Sequence, residues 1–165
     1  MLLRNGIVSR SPRLQGFSYR GRYSYFLTFC AHRRLEAFHD PAVASIVVEQ
    51  ILRAARRFDF AVFAYCVMPD HAHLLVRGKS ENSDLKRFSK RLKQSSGQIY
   101  SHRTNKPLWQ EGYYDRVLRS SEDTMEIARY IIANPVRAGL CAHSLQYLYS
   151  GSSKYSLMEI AQSLG

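Results

Sequence analysis

Two pairs of residues in this chain have the types and spacing to do chemistry. His71 and His73 stand one residue apart in MPDHAHLLV, at the start of an apolar run. Tyr130 and Asn134 stand four apart in RYIIANPVRAGL. In an extended strand, residues two apart point the same way, so the imidazoles share one face and Ala72 and Leu74 turn to the core. Neutral imidazole ligates several metals, and two on one strand face can reach a single ion. The alternative is a pair of surface or core histidines with no ligand. A third histidine two further on would suggest a histidine-triad hydrolase, but that residue is Leu75. On a helix, residues four apart are neighbours. A phenol and an amide facing out between Ile127, Ile131 and Ile132 are unusual in an otherwise apolar helix. A tyrosine oxygen attacks phosphorus once its proton is taken and the phosphate is neutralised, and a divalent ion does the second as a Lewis acid. The other reading makes Tyr130 a core aromatic with a wet hydroxyl and Asn134 a helix terminator.

These pairs need a strand and a helix to position them. Residues 23–31, YSYFLTFCA, are aromatic and β-favouring and read as a first strand. Asp40 as cap and Pro41 in the first turn open a helix with Val43, Ile46, Val47, Ile51 and Ala54 inward. Residues 58–68 are nearly all apolar and read as a strand covered on both faces. Pro69-Asp70 is turn chemistry, and HAHLLVRG is the returning strand of a hairpin. A second helix spans 82–100, with Leu85, Phe88, Leu92 and Ile99 inward, followed by a loop to Gly112. Residues 113–119, YYDRVLR, alternate as a fourth strand. Ser120 with an acid three later resembles a capping box, opening a third helix, EDTMEIARYIIAN, that should weaken at Asn134 before the proline. The serine cluster at 150–153 introduces a short, weakly helical tail. The order β-α-β-β-α-β-α predicts an α+β fold. It is a ferredoxin-like or RRM-like antiparallel four-stranded sheet, with two helices on one face and the tyrosine-bearing helix on the other.

The chain has 165 residues, enough for one domain with a real core. The expected division is a basic arm over 1–20, the domain over 21–153 and a tail over 154–165. Lys and Arg number 24 against 13 Asp and Glu, a formal net charge of +11. Such an excess meets a polyanion, and with no amphipathic helix of membrane type the partner is nucleic acid. The bland alternative is a basic protein with no such partner. Three widely spaced cysteines, Cys30, Cys66 and Cys141, read as free thiols in a reducing compartment. The start lacks a signal-peptide core and no apolar run is long enough to span a membrane, so a cytoplasmic protein is expected.

Together the two motifs resemble a known family. His71-Ala72-His73 matches a His-hydrophobic-His motif, and Tyr130-x-x-x-Asn134-Pro135-Val136 matches the nucleophile helix that follows it. With YSYFLTFCAHRR, CVMPDHAHLLV and LWQEGYYDRVLRS in order, the chain from about Gly21 to Ser153 is similar to single-tyrosine HUH transposases of the insertion-sequence type, in the REP-associated branch. The resemblance implies His71 and His73 as ligands to Mg2+ or Mn2+, with Asn134 in the third protein-ligand position. It implies Tyr130 as the nucleophile that cleaves single-stranded DNA and leaves a 5′-phosphotyrosine link. The implied substrates are DNA hairpins of palindromic repeats, acted on by a monomer or a homodimer.

DNA binding needs cations and stacking surfaces. The second helix supplies Lys86, Arg87, Lys90, Arg91 and Lys93, and Arg77, Arg116 and Arg119 fall at strand ends. Such groups hold phosphates and do not read bases. Trp109, Tyr113 and Tyr114 offer faces for unpaired bases, with core packing as the alternative. Asp70 reads as a hairpin-turn residue, with orientation of a ligand as its other role. Two other functions compete. One is a non-catalytic RRM-like binder of single-stranded nucleic acid, whose aromatic signature is missing here. The other is a Zn2+ hydrolase, which lacks an obvious third histidine, cysteine or carboxylate.

Overall fold

The computed structural model describes residues 13–120 and 122–163. Most of the basic arm and Ser121 lie outside the described residues. Five strands form one antiparallel sheet: β1 (Ser24–Cys30), β2 (Phe60–Met68), β3 (His71–Gly78), β4 (Tyr114–Val117) and β5 (Ser150–Gly151), in the order β4-β1-β3-β2-β5. The first four have the expected ferredoxin-like arrangement. The fifth is an addition to it: β5 pairs with Tyr65 and Cys66 at the outer edge of β2.

Helices α1 (Pro41–Arg57) and α2 (Leu85–Thr104) cover one face. Their inward residues Val47, Ile51, Leu85, Phe88 and Leu92 pack with Tyr25, Leu27 and Phe29 of β1 and Ala72, Leu74 and Val76 of β3. Helix α3 (Thr124–Ile132) covers the other face, where Ala128, Ile131 and Ile132 pack with Phe26, Cys66, Met68 and Leu75. A bulge between Val62 and Ala64 shifts the alternation of β2 by one residue: Val62, Tyr65 and Val67 join the first core, and Phe63, Ala64, Cys66 and Met68 the second. A short helix α4 (Asn134–Arg137) follows α3, and α5 (Leu157–Gln162) seats Ile160 in the second core.

The helix ends differ from the sequence reading for local reasons. Asp40 caps α1 as expected, accepting from the Ala42 N–H at 2.9 Å. Helix α2 begins three residues late because Asp84 is its cap, accepting from the Arg87 N–H. Just before it, the Ser83 hydroxyl ties the preceding turn to the Asp59 carbonyl. It runs on to Thr104, where Asn105 takes a left-handed conformation and stops it. Helix α3 is capped by Asp123, which accepts from the Met125 N–H, and not by Ser120. Glu122 is instead taken up by the Arg116 guanidinium and the Arg119 N–H. Among the described residues no helix is long and apolar enough to cross a membrane.

Gly78 ends β3 where a Cβ would overlap the Gly21 carbonyl oxygen and stand 2.8 Å from the Ser83 Cβ. Backbone cannot yield as a flexible side chain does. Gly78→Ala should therefore destabilise the fold by about 2–3 kcal/mol, as overpacking does, read as a lowered urea midpoint. An unchanged midpoint would show that the end of β3 is not held this closely.

Candidate active site

The β2–β3 turn is fixed before any side chain acts. The Asp70 carbonyl accepts from the Ala31 N–H and the Pro69 carbonyl from the Phe38 N–H, both at 2.9 Å. The turn is thus strapped to the chain leaving β1. The Asp70 carboxylate has two partners: Arg34 at 2.9 Å, and His71 Nδ1 at 2.6 Å. His73 Nδ1 lies 2.9 Å from the Thr28 hydroxyl, its cross-strand neighbour on β1. Both rings are thereby held through Nδ1, and their Nε2 atoms meet 3.1 Å apart.

That separation suits one ion. Two nitrogens each about 2.0–2.1 Å from a metal lie about 2.9–3.4 Å apart at angles of about 90–110°. The proton count is consistent with it. Asp70 fixes the Nδ1–H tautomer of His71, so in the contact between the rings His73 donates from Nε2 and its Nδ1 accepts from Thr28. The Thr28 hydroxyl can equally accept. Reversing it moves the His73 proton to Nδ1 and frees both Nε2 lone pairs for a cation. Burial holds both imidazoles neutral. It lowers His71 despite the Asp70 bond, and it pushes His73 down to about 3, with His71 and the Arg137 and Arg34 cations adding to the effect.

The surroundings are apolar and soft. Phe26 stacks on His73 with centroids 5.4 Å apart, and Tyr114 meets Phe26 edge-on. On neighbouring strands Cys30 and Met68 flank His71, and Cys66 flanks His73. Burial pushes the Cys66 thiol up to about 12, and Arg34 Nη1 lies 3.0 Å from Cys30 Sγ. No group of three His, Cys, Asp or Glu side chains among the described residues is placed to hold a metal.

Helix α3 lies over this face with Tyr130 half-buried against the second core. Helix α3 ends at Ile132 and α4 opens at Asn134, with Ala133 between them still in right-handed helical conformation. The Asn134 amide folds back, with Nδ2 donating to the carbonyls of Tyr130 and Ile131 at 3.2 Å each, which leaves Oδ1 as its lone-pair atom. Arg137 sits over the Tyr130 ring, 4.0 Å from its centroid, and donates to the Tyr130 carbonyl at 2.9 Å. Tyr130 and Asn134 are thus brought together.

The expected DNA-binding residues fall into separate groups. Lys86, Arg87, Lys90 and Arg91 are exposed on α2, on the face of the sheet away from the His pair. Lys93 is engaged, donating to the carbonyls of Gln110 and Gly112 at 2.7 Å each. Arg116 and Arg119 lie on and just after β4, Arg116 paired with Glu122. Arg77 is exposed on the His face at the far end of β3. Trp109 and Tyr113 pack on the helix-side core, Trp109 against Phe29 and Phe38 with its N–H on Ser96, and Tyr113 against Phe29. Sequence reasoning passed over Thr28, Arg34 and Arg137. The one available signal was a lone threonine inside the apolar run YFLTFC.

Comparison with known proteins identifies the class. The chain belongs to the family of IS200-like transposases, whose model matches residues 20–134. Within it the resemblance is to the REP-associated tyrosine transposases. An Escherichia coli K12 protein of that name is 27% identical over 89 residues, 54% of this chain and 52% of the relative. A Haemophilus influenzae protein named for the same group is 28% identical over 99 residues, 53% of this chain and 56% of the relative. The chain thus spans about half the length of the curated relatives it matches. A solved REP-associated tyrosine transposase bound to a REP hairpin shares the fold, with a TM-score of 0.67 and 20% identity over 85% of this chain and 82% of that one. A Deinococcus radiodurans protein solved as a candidate transposase superposes with a TM-score of 0.51 and 22% identity, over 73% and 95% of the two chains.

The neutral histidines make a pH prediction. The unfolded chain protonates each imidazole below about 6.5, while burial keeps the folded ones neutral to lower pH. Stability present above 6.5 is therefore lost as pH falls through the folded values. The urea midpoint should drop between pH 6.5 and 5, and His73→Gln should flatten that limb. A limb equally steep in the variant would mean that His73 is not the group responsible.

Proposed function

We propose that this protein is a metal-dependent transposase that cleaves and rejoins single-stranded DNA beside a hairpin, with Tyr130 as nucleophile. The observation that carries the reading is the convergence of the two Nε2 atoms, 3.1 Å apart, on the sheet face that the Tyr130 helix covers. His71 and His73 would hold a divalent ion, Mg2+ or Mn2+, through Nε2, with Asn134 Oδ1 as the third ligand. When bound, such an ion draws charge from the phosphate oxygens and makes phosphorus more electrophilic.

The chain's own groups account for the rest. Asp70 and Thr28 orient the imidazoles through Nδ1. The Asn134 and Arg137 bonds to the Tyr130 carbonyl fix the end of α3, and so the phenol. In the cleavage step the Tyr130 oxygen bonds to phosphorus and the P–O3′ bond breaks. The phenolic proton is lost and the departing 3′ oxygen gains one. The product is a 5′-phosphotyrosine with a free 3′-hydroxyl, which can reverse the step on the same or another strand with no outside energy. The hairpin itself would lie on exposed cations, for which the α2 row is the densest supply.

The test is a denaturing gel of labelled hairpin DNA with Mg2+. Wild type should give a protein-linked band mapped to Tyr130. Tyr130→Phe, which keeps the ring and loses about 1 kcal/mol of hydrogen bonding at most, should bind DNA and give none. An adduct that persists in the variant moves the nucleophile elsewhere, and DNA that wild type shifts but never cuts would make the protein a non-catalytic binder. Separately, replacing Lys86 and Lys90 with alanine should lower the salt dependence of hairpin binding by about 0.9 for each duplex phosphate no longer neutralised. An unchanged slope would place the DNA on another surface.

A further inference from the structure

The loop leaving β1 has an unusual backbone. Arg33 and Arg34 take φ values of 54° and 58° in succession. Neither is glycine or asparagine, the residues that enter this region readily. The two left-handed residues send their side chains to different tasks. Arg34 turns in to Asp70 and Cys30. Arg33 is exposed and lines a cavity of about 330 Å3 between this loop and the C-terminal end of α2. That volume is within the range of small-molecule sites.

The lining is chemically distinctive. Tyr100 forms one wall, half-buried against the helix-side core. Leu35, 60% exposed, and Pro107 give apolar surface at the edge. His32, Arg33 and Lys106 are the charged or chargeable groups, and among the described residues no carboxylate lines the cavity. A ring, apolar edges and cations without a lining acid are the combination with which single-strand binders take a base by its face and its phosphate by charge.

We propose that this cavity receives one unpaired nucleobase of the substrate strand, stacked on Tyr100, with its phosphate held by Arg33 and Lys106. The inference rests on the DNA-cleaving function proposed above and names a second point of contact for that substrate. The position fits. The loop begins directly after Cys30, the cross-strand partner of His71, so the cavity lies at the same end of the sheet as the imidazole pair. A base seated there would brace the loop whose Arg34 holds Asp70 against His71.

The experiment uses the full chain and two DNAs: a blunt hairpin, and the same hairpin with a single-stranded extension carrying 2-aminopurine at one extension position at a time. One position should be quenched on binding. Tyr100→Ala should abolish that quenching and weaken the extended hairpin by about 5–150-fold, the factor set by 1–3 kcal/mol of stacking per base. Its affinity for the blunt hairpin should not change, and Tyr100→Phe should behave as wild type. Lys106→Glu, at an exposed residue that leaves the core intact, should give the same selective loss. Equal losses on both DNAs, or none on the extended one, would overturn the pocket while leaving adduct formation in place. If wild type binds neither DNA and forms no adduct, the pocket and the functional reading fall together.

Discussion

The site depends on the pleat of one central strand. β3 is hydrogen-bonded on both sides, to β1 and to β2, and its side chains alternate between two buried faces. Leu74 and Val76, fully buried on the helix side, each contribute about 1.5–3 kcal/mol by burial. A slip of one residue would turn them out and drive both imidazoles into the apolar core. There the rings would lose Asp70 and Thr28, and unpaired polar burial is costly. The packing of α1 and α2 on one face therefore holds the histidines on the other, with no contact between the two.

Register then brings the supporting groups into place. Because Thr28 is opposite His73 and Cys30 opposite His71, a polar chain runs without a gap from Arg34 through Asp70, His71 and His73 to Thr28. Its ends are anchored differently. Arg34 stands on strained loop backbone, and Thr28 is buried in a strand. The exposed α2 cations are on the opposite layer. Any nucleic acid that uses both surfaces must pass round the sheet.

Much of this was legible because it is local. The alternation of HAHLLV, the Asp40-Pro41 start of α1 and the apolar run of β2 each carry their signal within a few residues. The parts that escaped depend on pairing. Thr28 gains its role only from the β1–β3 register, and Arg34 from a left-handed turn that no residue type announces. The bulge between Val62 and Ala64 is hidden inside a run that is apolar throughout. The end of α3 was half visible through Pro135, but the return of the Asn134 amide onto Tyr130 was not. β5 is two residues long and sits in a serine-rich stretch that reads only as the start of a weakly helical tail, because much of its bonding is through side chains.

That stretch closes the outer edge of β2. Ser153 Oγ accepts from the Val62 N–H, and the Ser152 Oγ, Ser153 Oγ and Ser153 N–H all donate to the Val62 carbonyl. The Tyr149 carbonyl accepts from the Val67 N–H, and the Tyr147 hydroxyl donates to the Val67 carbonyl. Serine and tyrosine hydroxyls thus complete what a longer strand would do with its backbone. The strand they cover, FAVFAYCVM, has no charge and no proline. Exposed, it would be a template for pairing with other chains. A chain ending before Tyr147 would keep its histidines and its phenol and would leave this edge of β2 unpaired. The least conspicuous stretch of the sequence is therefore what shields an uncharged apolar strand.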